Sequence, residues 1–314
     1  NAATASYENV LDAGFDRFTT CLHGGFDALD IKEREPFRNT LLDGKGETTN
    51  YAYNSVNVAI DSLRDPERTE FNMVAYPGLT NNSLNSTVDN MQQNLKLNSS
   101  YGAAYYPWVQ IRDNVNGATL WAPPSVAALG AMSYSEAVSE LWFAPAGFTR
   151  GGLSANNAAG IPVVGVRQRL TSKDRDKLYE NNINPIASFP AEGIVIFGQK
   201  TLQATPSALD RINVRRLTIF LKREISRIAA TLLFDQNVQI TWNKFRGQAE
   251  NFLSGVKAGL GLTDYKVILD ETTTTPDLID RNILYAKIYV KPARAIEFIA
   301  IDFIITDSGA AFDD

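Results

Sequence analysis

The sequence has very little cysteine and histidine: its 314 residues include one of each, Cys21 and His23. A single cysteine cannot close an internal disulfide, which excludes a secreted fold held together by several cross-links. Metal centres usually take three or four ligands from histidine, cysteine, aspartate and glutamate, and this pair supplies only two. We therefore expect no structural disulfide and no metal site.

Long apolar runs and nucleotide-binding motifs are also missing. No run approaches the roughly 18 apolar residues of a membrane helix, and the N-terminal residues lack the basic and apolar regions of a signal peptide. The turn Asp43–Gly46 contains a Gly-Lys pair, but Asn39 stands where a phosphate loop needs its first glycine, and no serine or threonine follows Lys45. No GxGxxG follows a predicted strand. We expect neither a membrane partner nor a nucleotide cofactor.

What the chain does contain is a globular mixture of helix and strand patterns, with a net charge of -5. Its length suggests about two domains, which we place at residues 1–181 and 182–314. In the first, the strand pattern of Phe71–Gly78, the helical spacing of Ser83–Leu97 and the strand pattern of Ala103–Ile111 follow each other closely. This order favours a sheet covered by helices. Proline at Pro123 and Pro124 suits the first turn of a further helix, and Thr171–Asp174 resembles a capping signal for a helix that reaches Asn181. The predicted class is α/β for the first domain and α+β for the second.

The second domain is predicted to contain two long helices. One is expected to open at Ser207, with Asp210 completing the cap, and to run to about Phe234; the other spans about Gln239 to Leu260. Opposite the apolar stripe of the first lies a set of cations: Arg211, Arg215, Arg216, Lys222, Arg223 and Arg227. Nucleic acid is an unsuitable partner because the chain is acidic and no aromatic residues interleave with these cations.

The cations instead predict a surface for a protein partner, with a solvated face or an internal ion-pair network as the alternative. Ile296–Ile305 is the most apolar segment of the chain and must be paired or covered. An acidic tail, Asp307–Asp314, follows it. The predicted subunit or tube interface comprises nine residues: Arg211, Arg215, Arg216, Arg223, Arg227, Asp307, Phe312, Asp313 and Asp314.

Several motifs occur together in an order that resembles one protein family. They are Tyr106–Ile111, Trp121–Ser125, Trp142–Gly147, Asn184–Ile186, Gly193–Thr201, Asp210–Leu217, Asp270–Thr273 with Thr275 and Pro276, and Val290–Phe298. Together they resemble the tail sheath proteins of contractile-tailed bacteriophages, and the similarity spans roughly Gly24 to Phe303.

The resemblance implies a structural protein with no active site and no cofactor. Such subunits polymerise as stacked hexameric rings around a tail tube and contract to drive the tube through the host envelope. The implied partners are further copies of the chain, the tail tube protein, and the baseplate and tail terminator proteins. The implied location is the virion, after assembly in the host cytoplasm. The resemblance also implies that residues 1–181 form a subtilisin-like layer without the protease's catalytic residues, followed by two long helices on a small sheet.

Other readings of the sequence remain open. The chain could serve a phage-tail-like bacteriocin or a related injection system rather than an infectious phage. A hydrolase with a subtilisin-like fold would need His23 beside a nucleophilic serine and a carboxylate, and the sequence has no Gly-x-Ser-x-Gly elbow. Family members normally carry a segment and a linking arm before the region that starts here at Asn1. We therefore expect a fragment that is largely monomeric.

Overall fold

The computed structural model describes residues 58, 61–63, 71–75, 98–113, 117–154 and 163–297. The chain divides into two compact units, Asn1–Glu70 and Phe71–Asp314, and most of the described residues lie in the second. The predicted helix at Ser83–Leu97 and the acidic tail lie outside the described residues. So does most of the apolar segment Ile296–Ile305. The strand predicted to begin at Phe71 is wrong for residues 71–75, which are irregular.

Two three-stranded sheets form the first part of this unit. The strands are β1 (Ala104–Tyr106), β2 (Val109–Arg112), β3 (Thr119–Ala122), β4 (Val163–Val166), β5 (Ile183–Phe189) and β6 (Gly193–Ile196). One sheet has the order β1-β5-β6, with β1 parallel to β5 and β6 antiparallel to it. The other has the order β3-β2-β4 and is antiparallel throughout. The single strand expected at Ala103–Ile111 is thus two strands in different sheets, separated by Pro107, whose nitrogen cannot donate to a ladder.

Three helices accompany these sheets: α1 (Pro124–Val138), α2 (Gly147–Arg150) and α3 (Ser172–Glu180). α1 begins with proline in its first turn, as predicted, because that position needs no backbone donor. Its buried face carries small residues, including Ala128 and Ala131. They share one core cluster with Val109, Ile186 and Ile196 from the two sheets. The small side chains let the helix pack close to both sheets.

The predicted cap of α3 is confirmed. The Thr171 hydroxyl accepts from the Asp174 backbone N–H at 3.3 Å, and an Asp174 carboxylate oxygen accepts from the Thr171 N–H at 3.0 Å. The side-chain and backbone hydrogen bonds from Thr171 lower the pKa of Asp174 below its ordinary value. A carboxylate with a depressed folded pKa stabilises the fold at neutral pH, and this contribution is lost as the pH falls through that pKa.

Replacing Thr171 with alanine is expected to lower the free energy of unfolding by about 1 kcal/mol at pH 7. The difference from the parent chain should shrink as the pH falls below the lowered pKa of Asp174, where this carboxyl group is protonated in both chains. Thr171→Ser retains the hydroxyl and is the matched control. Chemical denaturation of the three chains at several pH values measures the effect, and an alanine variant as stable as the serine variant at pH 7 would contradict it.

The second part of the unit is built from α4 (Ile212–Ala230), α5 (Gln239–Ala258), β7 (Leu262–Ile268), α6 (Pro276–Asp280) and β8 (Lys287–Pro292). The predicted start at Ser207 is wrong. Ser207 caps only a 3₁₀ turn, Ala208–Asp210, by accepting from the Leu209 N–H. Arg211 then forms an isolated β-bridge with Lys200 and is extended, so the α-helix begins after it.

The two long helices pack on the two-stranded antiparallel sheet β7-β8. Their cluster joins Leu217 and Leu221 of α4, Phe245 and Leu253 of α5, and Val267 of β7. This agrees with the arrangement expected for the C-terminal domain. β1 and β5 pair with each other although they lie on opposite sides of residue 181. The division at 181/182 and the subtilisin-like character of the first domain stay predictions.

Candidate functional site

The arginines predicted as an interface do not form one exposed face on α4. Every residue from Ile212 to Leu217 is buried, so the first turns of the helix are enclosed by the rest of the unit. Arg215 and Arg216 lie in these turns and are each only 7% exposed. At the other end of the helix the Arg227 side chain is 63% exposed. The helix therefore carries an internal and an external group of cations.

Arg216 connects α4 to α1. Its Nη2 donates to Glu136 Oε2 at 2.8 Å, while Nη1 has no hydrogen-bond partner in the described part of the chain. Burial, which disfavours the charged form, lowers the pKa of Arg216 below its ordinary value despite the neighbouring Glu136 carboxylate. A buried cation held by one carboxylate serves the fold of its own chain, and removing the partner would leave an uncompensated charge.

Arg215 is enclosed by the segment before β1. Its guanidinium carbon lies 4.1 Å from the centroid of the Tyr101 ring, and Nη2 donates to the Ser100 hydroxyl. Stacking of this kind attracts a cation to the negative face of the ring. Arg215 thus fixes the start of the first sheet against α4.

Arg211 forms the tightest ion pair of the group, with a glutamate that follows β8. Its Nε and Nη2 donate to Glu297 Oε1 and Oε2 at 2.6 and 2.8 Å, and the Gln199 amide donates to the same carboxylate at 3.3 Å. Burial alone would lower the pKa of Arg211, but the hydrogen bonds to Glu297 outweigh it and raise the pKa. Burial and the Glu297 carboxylate together raise the pKa of Tyr179.

The outer arginines contact the acidic residue between them. Arg223 Nε lies 3.4 Å from one Glu224 oxygen and Arg227 Nη1 lies 3.2 Å from the other. Arg223 also donates to the Asn72 side chain at 2.9 Å. Three predicted interface residues, Arg211, Arg215 and Arg216, therefore make their contacts within the chain. This agrees with the internal ion-pair network predicted from the sequence as an alternative. Asp307, Phe312, Asp313 and Asp314 lie outside the described residues, and an interface role for any of the nine stays a prediction.

Sequence reasoning missed a second candidate surface, the outer side of β8. Within the described residues, β7 and β8 pair only with each other. Tyr285, Tyr289 and Val290 are exposed on or beside β8. The available signal was the β-rich pattern of Leu284–Val290, but a strand pattern does not reveal which strand lies at an edge. An edge strand offers unpaired backbone donors and acceptors to another chain.

Two further features are absent from the described residues. Among them, no group of three or more histidine, cysteine, aspartate or glutamate side chains could hold a metal ion. No helix within the described ranges combines the length and the apolar character of a membrane span. His23 lies outside these ranges, so the structure does not place it.

Comparison with known proteins identifies relatives of this chain. The family model of the phage tail sheath C-terminal domain matches residues 204–306, which include α4, α5, β7 and β8. A tail sheath protein of Enterobacteria phage T4 is 35% identical over 221 residues, or 70% of this chain and 32% of that protein. Another, of Vibrio phage KVP40, is 36% identical over 219 residues, with the same two shares. The chain thus spans about a third of the length of these relatives.

Solved structures share the fold. The helical sheath of the anti-feeding prophage in its contracted state matches with a TM-score of 0.60 and 22% identity, covering 89% of this chain and 76% of that one. The sheath complex of an extracellular contractile injection system, PVC, in its contracted state matches with a TM-score of 0.62 and 23% identity, covering 74% and 63%. Sequence and fold agree that the chain belongs to the tail sheath protein family.

Proposed function

We propose that the chain is part of a structural subunit of a contractile tail sheath. Copies of the subunit form stacked hexameric rings around the tail tube and contract to drive the tube through the host envelope. The partners are further copies, the tail tube protein, and the baseplate and tail terminator proteins. The subunit assembles in the host cytoplasm and belongs to the virion, with a phage-tail-like bacteriocin or related injection system as the alternative setting.

The observation that carries this proposal is the edge of the β7-β8 sheet. A two-stranded sheet is marginal in water, and here one face is secured by α5 and α4. β8 carries exposed residues along most of its length. A strand from a neighbouring copy that pairs with β8 would extend the sheet by β-augmentation. Main-chain hydrogen bonds of this kind depend little on side chains and can persist while the domains they join reorient.

The known relatives support a structural role without catalysis. The two curated relatives described above are named as tail sheath proteins. In the described part of the chain, Arg211 pairs with Glu297 and Arg216 pairs with Glu136. These ion pairs hold elements of one chain together. Arg227, at the exposed end of α4, remains our candidate for steering a neighbouring surface by charge.

Proline substitution along β8 tests the edge. Successive backbone N–H groups of an antiparallel strand point alternately toward and away from the paired strand. Of the variants Tyr289→Pro and Val290→Pro, one should therefore remove a hydrogen bond to β7 and lower the melting temperature. The other should leave the monomer folded and abolish sheath-like tubes. Electron microscopy of the whole gene product that contains this chain, together with thermal unfolding, measures both effects.

Alanine at the same two positions is the matched control, because it removes the side chain and keeps the backbone donor. Both alanine variants should still form tubes. If the proline variant that leaves the monomer stable assembles as well as its alanine counterpart, strand addition at β8 is refuted.

A further inference from the structure

A cleft of about 290 Å³ opens beside α3, away from the β8 edge. Its walls include Arg175 and Asp176 of α3, Phe197 after β6, and Ile296 and Glu297 after β8. The volume is close to the lower end of the range of about 300–1,000 Å³ that small-molecule and peptide-sized sites occupy. Because Ile296 and Glu297 line the cleft, the chain passes along it just before residues 298–314.

One wall of the cleft, the aromatic wall, contains Phe197, against which the rings of Phe189 and Phe148 pack. The ring of Phe197 lies 5.2 Å from that of Phe189 and 5.7 Å from that of Phe148, measured between centroids. These separations are typical of favourable ring pairs. Phe148 and Phe197 nevertheless remain almost half exposed. The cluster has open ring surface on which a further apolar side chain could pack.

Arg175 supplies a cation on this aromatic wall. Its guanidinium carbon lies 5.1 Å from the Phe189 centroid and 5.7 Å from the Phe197 centroid. No carboxylate in the described part of the chain forms an ion pair with it. A guanidinium stacked on rings keeps its in-plane donors available, and their fixed geometry suits a carboxylate.

The other charges of the cleft do not cancel this cation completely. Glu297 would repel an acidic ligand, but both of its carboxylate oxygens accept hydrogen bonds from Arg211. Asp176 is exposed on α3 and opposes an acidic ligand, although solvent screens its charge. The ligand that fits best has an apolar ring for the aromatic wall and a carboxylate for Arg175.

We propose that this cleft binds the chain's own residues Phe312, Asp313 and Asp314, with the phenyl ring on the aromatic wall and a carboxylate against Arg175. The sequence places an aromatic residue directly before two carboxylates only fifteen residues after Glu297. Closure of so short a loop costs little entropy, and the tether keeps the local concentration of the segment high. The contact is independent of strand addition at β8. A docked segment would be withheld from other copies until it is displaced.

A fluorine label at position 312 tests the proposal in the full chain. With 4-fluorophenylalanine at that position, the ¹⁹F resonance should be shifted and broadened relative to a free peptide of residues 305–314, at every protein concentration. Arg175→Gln should reduce the ratio of docked to free signal about tenfold, because one charge-assisted contact is lost. Asp176→Asn should increase the ratio. Arg227→Gln, a cation on α4 far from the cleft lining, should leave it unchanged.

Three results would overturn the proposal: a free-peptide resonance in the parent chain, a ratio of docked to free signal that neither Arg175→Gln nor Asp176→Asn changes, or a shift that appears only as the protein concentration rises. The last would mean that another copy provides the ligand. Thermal unfolding of each variant confirms that the fold is retained, and the Asp176 variant decides the question if Arg175→Gln does not fold. The fluorine experiment does not measure tube formation. Failure of the protein to form tubes and failure of residues 312–314 to bind in the cleft are therefore separate outcomes.

Discussion

Replacing Asn184 with leucine is expected to lower the free energy of unfolding by about 3–5 kcal/mol, because three partly buried backbone groups lose a partner at about 1–3 kcal/mol each and the losses overlap. Asn184 is fully buried in β5. Its Nδ2 donates to the carbonyl oxygens of Ala104 and Lys200 at 3.1 and 2.8 Å, and its Oδ1 accepts from the Lys200 N–H at 2.6 Å. The side chain thus joins β1, β5 and the segment after β6. Chemical denaturation followed by tryptophan fluorescence measures the loss.

Asn184→Asp keeps the shape of the side chain and changes the hydrogen bonds that it can make. The carboxylate can still accept from Lys200, but at neutral pH it cannot donate to the two carbonyl groups and is buried as an anion. Burial raises the folded pKa of such a group. The variant should therefore be most stable at low pH, where the acid is protonated and can donate, and should lose stability as the pH rises. A leucine variant as stable as the parent, or an aspartate variant with the parent's pH dependence, would contradict this account.

The sequence predicts a helix end correctly where the residues next to that end determine it. The capping box of α3 was correctly predicted because Thr171 and Asp174 are three residues apart and satisfy each other. The end of α5 at Ala258 was correctly placed to within two residues because Gly259 and Gly261 follow it. The packing of α4 and α5 on a small sheet was implied by the family resemblance, and apolar side chains of both helices contribute to the cluster that joins them to β7.

Errors occurred where a distant residue decides the conformation. Arg211 is held extended by a β-bridge to Lys200, which delays the start of α4, and nothing near Ser207 reveals that bridge. Arg215 and Arg216 follow the spacing of a polar face, yet Tyr101 and Glu136 from earlier parts of the chain enclose them. A charge pattern on a helix indicates a surface only when the rest of the fold leaves that side open. Ion-pair partners 80 or more residues away are not visible in such a pattern.

Trp142 anchors the region after α1 to the long helices α4 and α5. Its indole Nε1 donates to the Gly259 carbonyl at 2.7 Å, and its ring lies 5.9 Å from that of Phe220 on α4. The Trp142 carbonyl oxygen accepts from the Asn213 side chain at 3.4 Å. The side chain therefore contacts the middle of α4 and the residue that follows α5, while the backbone contacts the start of α4. Removing the side chain should loosen the first two of these contacts.

Trp142→Ala is expected to lower the free energy of unfolding by about 3 kcal/mol, the low end of the range for large aromatic truncations, because the ring is only partly buried. Trp142→Phe keeps most of the packing and loses the hydrogen bond, which should cost about 1 kcal/mol. Chemical denaturation followed by circular dichroism compares the three chains without relying on Trp142 itself. Equal stability of the alanine and phenylalanine variants would show that the ring does not anchor the helical layer.

Gly261 gives an independent measure of how closely this ring is packed. A Cβ at position 261 would lie 2.7 Å from Val256 Cγ1 and 3.0 Å from two carbon atoms of the Trp142 ring. Gly261→Ala should therefore cost about 1–3 kcal/mol by overpacking. In the double variant with Trp142→Ala, the clash with the ring disappears while the clash with Val256 remains. The combined loss should fall short of the sum of the single losses by roughly 1 kcal/mol. Strict additivity would mean that the indole ring does not rest on Gly261.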